Sequence, residues 1–225
     1  MCELPVGRRD YLVEDPLWLA NVLELCAGLR IAGKRVLAGY VNHELLCLGA
    51  AAVDAVGSGT WMNVRMFSPD RFQATQEEET RRRATWYYSP TALSEFKAVF
   101  LDAAWQQGLL ANLEAPTEYS SPYAAPLFAG VQPSSTGFGE REAFRHYLHC
   151  LRHQARQARR ATFDETLAHH RQLLDSGEQL VTLLSSRGVL SQGRGFGEIF
   201  DVVRSALTMF EATRGPTLRR AWGRL

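Results

Sequence analysis

RVLAGYVNHELLCLGAAAVDAVGSG, from Arg35 to Gly59, sets two short apolar runs on either side of a helix-like segment. A short apolar run, Lys34–Gly39, stops at a glycine. Asn42 can cap a helix from His43 to about Ala52. A second short apolar run, Val53–Gly57, stops at glycines again. About a dozen residues connect the two runs, the minimum for a parallel crossover. Both runs are apolar throughout, as strands buried on both faces are. The stretch therefore reads as strand–helix–strand in preference to one helix with a glycine-rich tail.

Working outward, Asp15-Pro16 caps a helix through Leu17, Leu19, Val22, Leu23, Cys26 and Leu29, ended by Gly33. Downstream, Gln76–Arg83 (QEEETRRR) is an exposed charged segment. Ser89-Pro90 starts a helix over Thr91–Gln107, stopped by Gly108. Residues 115–139 are rich in Pro, Ser, Gly and Tyr and read as a loop or linker. Three helices follow: Glu140–Ala161, Phe163–Arg187 with Thr162 as cap, and Glu198–Thr213, broken at Gly215-Pro216. The expected organisation is a β/α barrel-like portion over residues 1–114, the linker, and an α-helical subdomain over residues 140–225.

The chain has 225 residues, 46% of them hydrophobic, and a formal net charge of +1. That suits one or two globular units with a real core and no global polyelectrolyte role. The charge is uneven. Residues 1–138 carry 11 basic and 15 acidic residues; residues 139–225 carry 14 basic, all arginine, and 9 acidic. Cys2, Cys26, Cys47 and Cys150 form no C-x-x-C pair and read as free thiols, which suits a cytoplasmic setting. The N-terminus has no apolar signal core. No window reaches the roughly 18–20 apolar residues of a membrane span.

Three places carry candidate chemistry. His43-Glu44 follows the first strand, where α/β folds bind ligands, so the pair can serve as acid and base. Helix capping is the simpler role for it. Gly57-Ser58-Gly59-Thr60 follows the second strand and can cradle an oxyanion, with Asn63 and Arg65 reaching the same pocket. The third is the helix from Glu140. At 100° per residue, Arg141, Arg145, Arg152, Arg156 and Arg159 share an arc about 60° wide. Guanidinium forks match phosphate oxygens, so this stripe points to nucleic-acid phosphate; a solvated helix face is the alternative. His146, His149 and His153 have metal-compatible spacing but no convincing carboxylate or cysteine partner, so no metal is assigned.

Arg35–Phe67 (RVLAGYVNHELLCLGAAAVDAVGSGTWMNVRMF) resembles the last two β/α units of the tRNA-guanine transglycosylase superfamily barrel. AFRHYLHCLRHQARQA, Ala143–Ala158, is similar to that family's C-terminal helical subdomain. The resemblance implies an α/β fold of partial TIM-barrel-like units followed by a helical region. It implies a pentosyltransferase exchanging a 7-deazaguanine-type base in tRNA or DNA; no cofactor is assigned to this chain. On it, Asp54, His43 and Glu44 are the catalytic candidates, and Tyr40, Asn42, Gly57, Ser58, Gly59, Asn63 and Arg65 line the base pocket. The arginine stripe holds tRNA or DNA. The family's zinc cysteines have no counterpart in residues 68–142. The earlier strands are absent, so the resemblance implies a fragment, a split subunit whose partner chain supplies the remaining strands, or a degenerate relative, with the isolated chain inactive. The rival reading is a non-catalytic α-rich module contacting nucleic acid or protein.

Overall fold

The computed structural model describes residues 12–59, 65, 84–191, 196–197 and 199–225. Helix α1 (Pro16–Ile31) starts at Asp15, whose carboxylate accepts the Leu17 N–H at 2.8 Å. Strand β1 (Leu37–Ala38) pairs in parallel with β2 (Ala55–Val56). A 3₁₀ helix, His43–Ala51, links them. Then come β3 (Trp86–Ser89) and β4 (Ser94–Lys97), an antiparallel hairpin, followed by α2 (Ala98–Gln106). Helices α3 (Glu140–Gln157), α4 (Phe163–Ser186) and α5 (Phe200–Ala221) complete the chain.

This corrects the α/β barrel expectation. Among the described residues the fold is mainly helical, with two open two-stranded sheets and no closed barrel. The crossover at Arg35–Gly59 exists, but only as a two-rung ladder. Among the described residues no third strand extends it. The transglycosylase resemblance loses its support with the barrel, and so does the glycosyltransferase activity that it implied.

Two further differences have local causes. Residues expected to begin a helix at Thr91 instead form the β3–β4 turn, with Leu93 at φ +49°. Tyr87, Tyr88 and Phe96 are buried there, which aromatic residues on a pleated pair achieve better than on a surface helix. Helix α5 runs through Pro216. An interior proline costs roughly 3 kcal/mol. Burial of Leu218, Ala221 and Trp222 beyond it offsets that cost.

The main core gathers α1, the 3₁₀ helix, α4 and α5 around Leu19, Leu23, Leu48, Phe163, Phe200 and Phe210. A second cluster joins the hairpin and α2 to Leu113, Leu127, Phe138 and Leu184. A third, of Leu46, Tyr88, Tyr147, Cys150 and Leu151, sits between α3, the hairpin and the 3₁₀ helix. Cys26, Cys47 and Cys150 are buried free thiols.

The 3₁₀ winding explains how α3 is seated. With three residues per turn, His43, Leu46 and Gly49 fall in one row. His43 meets Tyr147, Leu46 packs with Tyr147 and Leu151, and Gly49 abuts the Ala158 carbonyl just past the end of α3. A Cβ on Gly49 would lie 2.2 Å from that oxygen, so only glycine allows the approach. Asn42 caps the row by accepting the Glu44 N–H at 2.9 Å, and Ala52 ends it at φ +54°.

Candidate anion-binding cleft

The N-terminal end of the 3₁₀ row is a closed polar cluster. His43 is 2% exposed. Its ring lies 4.3 Å from Phe196 and 4.8 Å from Tyr88 by centroids, and Nδ1 is 3.5 Å from the Tyr147 hydroxyl. Beneath it, Arg65 and Glu95 form an ion pair at 2.7 Å, both almost wholly buried. The Arg65 guanidinium also stacks on the Tyr147 ring at 3.4 Å. Tyr88 donates to Gln154 Oε1 at 3.0 Å. His146 donates from Nε2 to the Tyr88 carbonyl at 2.8 Å while stacking on Tyr87.

Burial sets the charge states here. It pushes His43 down to about 3, with Glu95 opposing and Arg65 assisting. It pushes Glu44 up to about 8, opposed by the Val13 N–H that donates to Oε2 at 2.8 Å. The hydroxyls of Tyr88 and Tyr147 are raised for the same reason. His43 is thus neutral and Glu44 carries a proton near neutrality, and neither reaches solvent. The two residues expected as acid and base are structural here.

Asp54 is equally committed. Its carboxylate accepts the Val36 N–H at 2.7 Å and pairs with Arg30 at 2.8 Å. The Val36 hydrogen bond and Arg30 hold it below the ordinary aspartate range. Arg30 also donates to the carbonyls of Lys34 and Leu225, so the clasp ties β1, β2 and the C-terminus together. A carboxylate so engaged is a poor nucleophile.

Of the expected pocket residues, Asn42 is the 3₁₀ cap, Gly57 belongs to the β1–β2 ladder, and Arg65 is locked to Glu95. Tyr40 holds φ +58° between β1 and the cap and is 37% exposed. Gly59 is half-buried. Thr60 and Asn63 lie outside the described residues. Ser58 alone joins the arginine stripe.

That junction is a cleft of about 600 Å³ at the other end of the 3₁₀ row. Leu46, Val53, Val56, Leu148 and Leu151 supply apolar lining. Arg152, Arg156 and Arg159 supply the charge, and Asp54 and Ser58 stand on the β2 side. Helix α3 can do both jobs because it is strongly two-faced. Ala143, His146, Tyr147, Cys150, Leu151 and Gln154 are buried, while the five stripe arginines are exposed. Arg159 donates to the Trp222 carbonyl at 3.1 Å and stacks on its ring, which fixes its position. Arg145 lies outside the cleft, over Tyr123. Arg152 and Arg156 make no ion pair among the described residues, and the stripe's other member, Arg141, stands at the far end of α3.

Sequence reasoning missed Glu95, Tyr147 and the apolar lining. Glu95 sat inside an expected helix, and no local pattern marks it as the partner of Arg65, 30 residues away. The alternation Leu148, Leu151, Ala155 beside Arg152 and Arg156 was visible, but what faces it was not.

Elsewhere, His149 and His153 stack at the surface with centroids 4.6 Å apart. Among the described residues no group of three His, Cys, Asp or Glu side chains converges as a metal site. No described helix is long and apolar enough to cross a membrane. Comparison with known protein families, with curated proteins and with solved structures returns no match to this chain.

Proposed function

We propose that this chain is a non-catalytic, α-rich interaction module that receives an anionic segment of a macromolecular partner in the cleft between α3 and β2. One observation carries the reading. Exposed Arg152 and Arg156 on α3 and Arg159 just past its end line a concave apolar site, and Asp54, the one carboxylate lining it among the described residues, is already paired with Arg30. Positive charge over an apolar recess favours a ligand with anionic groups on a body that can be desolvated. The near-neutral net charge of +1 argues for a local site over general polyanion adhesion.

The test is titration with two labelled probes, a glutamate-rich peptide and a single-stranded oligoribonucleotide, at low and moderate salt. Binding of either probe that weakens with salt and drops in Arg152→Ala/Arg156→Ala supports the proposal. For the oligonucleotide, three arginine contacts give a log–log salt slope of about −2. Absence of binding by both probes at low salt contradicts it.

A further inference from the structure

The cleft has a second property, set by the parity of the β1–β2 ladder. In a parallel pair, alternate residues of each strand turn both backbone groups toward the partner. Here Ala55 and Gly57 donate to the carbonyls of Val36 and Ala38, at 3.3 and 2.7 Å. With Leu37 opposite Ala55 and Ala38 opposite Val56, the N–H and C=O of Val56 face away from β1. Ser58 has the same parity. The whole segment from Val53 through β2 to Val56, and Ser58 beyond it, lines the arginine cleft, whereas no β1 residue does. The open edge of β2 therefore borders the cleft, and no described residue pairs with it.

We propose that the occupant is an extended acidic peptide segment of a partner protein, added to the edge of β2 as a third strand. The inference rests on the reading of the cleft as an anion site. Main-chain hydrogen bonds to an open edge give strand addition its affinity, and pockets for alternate side chains give its specificity. An alternating apolar and acidic segment matches a cleft lined by Val56, Leu148 and Leu151 on one hand and by Arg152, Arg156 and Arg159 on the other. The repeat also fits. Arg152 and Arg156 are about 6 Å apart along α3, and alternate residues of a strand are about 6.7 Å apart. An oligonucleotide would use the arginines but has no need of a strand edge.

The experiment uses the full chain and a blocked peptide of about seven residues alternating Val and Glu. Its comparators are the same peptide N-methylated at every second amide, a Val/Lys version, and a single-stranded oligouridylate. The expected result is that the Val/Glu peptide binds roughly tenfold or more tighter than each comparator. On binding, the Val56 amide becomes protected from hydrogen exchange. Equal binding of the N-methylated peptide, or an unprotected Val56 amide in the complex, overturns strand addition while leaving the anion site standing. Tighter binding of oligouridylate overturns the peptide reading and points to nucleic acid. Binding of no probe overturns both this inference and the function it rests on.

Discussion

The two ends of the 3₁₀ helix use arginine in opposite ways. At His43, Arg65 is sealed against Glu95 and Tyr147, and burial keeps His43 neutral and Glu44 protonated near neutrality. At Gly49, Arg152 and Arg156 stand exposed over an apolar cleft with no carboxylate assigned to them. The first end spends its charge on holding the hairpin, α3 and the 3₁₀ helix together. The second keeps its charge available. A residue type and a position after a strand do not separate these roles; burial and pairing do.

The sharpest way to break the comparison is at the buried end. Arg65→Met removes the guanidinium that pairs with the buried Glu95 carboxylate and is expected to cost about 3–5 kcal/mol of stability, read by urea denaturation. Adding Glu95→Leu should recover much of that loss. A cost below about 1 kcal/mol would mean that the pair is effectively solvated, and the contrast between the two ends would fail.

The next effect tests the approach of the 3₁₀ helix to α3. Gly49→Ala drives a Cβ into the Ala158 carbonyl and should cost about 1–3 kcal/mol. Gly28→Ala in α1 meets nothing within 4 Å, so it should be neutral or slightly stabilising by thermal melting. Similar behaviour of the two variants would contradict the close packing.

These contacts mark the limit of what the sequence alone reveals. The caps at Asp15 and Thr162 and the two-faced pattern of α3 are local, and all were readable; the structure adds Glu165 as the other half of a capping box with Thr162. Glycine-terminated apolar runs correctly implied a parallel pair at Arg35–Gly59. They could not say how many strands would join it, because strand number depends on what packs alongside. Here only two rungs form and, among the described residues, no further strand joins them, so the barrel reading failed on that point. The arginine stripe was legible from periodicity alone. Its convergence with Ser58 and Val56 depends on the 3₁₀ row that seats α3, and on Gly49 in particular.

A smaller effect lies in pH. Buried His43, His146 and His170 have pKa values lowered to about 3, 4 and 4, so the unfolded chain binds more protons than the folded one below the usual histidine range. Stability should fall as pH drops from about 6.5 toward 4. Glu44 has the opposite sign. Its pKa is raised to about 8, so its contribution is fully present below about 4.5 and is lost as pH rises toward 8. Glu44→Gln should therefore flatten the alkaline side of the stability profile and leave the acid side unchanged. An unchanged alkaline side would place the Glu44 carboxyl in water.

The smallest effect on stability is expected at the open end, and it carries the most weight for function. Arg152→Ala/Arg156→Ala should change the unfolding free energy by no more than about 0.5 kcal/mol per site, since both side chains are exposed. The most direct measurement of the central claim is the affinity of the alternating Val/Glu peptide for the wild-type chain and for this double variant at low salt. The account predicts binding by the wild type and at least a roughly tenfold loss in a variant that melts like it. Equal affinity in the two proteins, or no binding by the wild type, would contradict it.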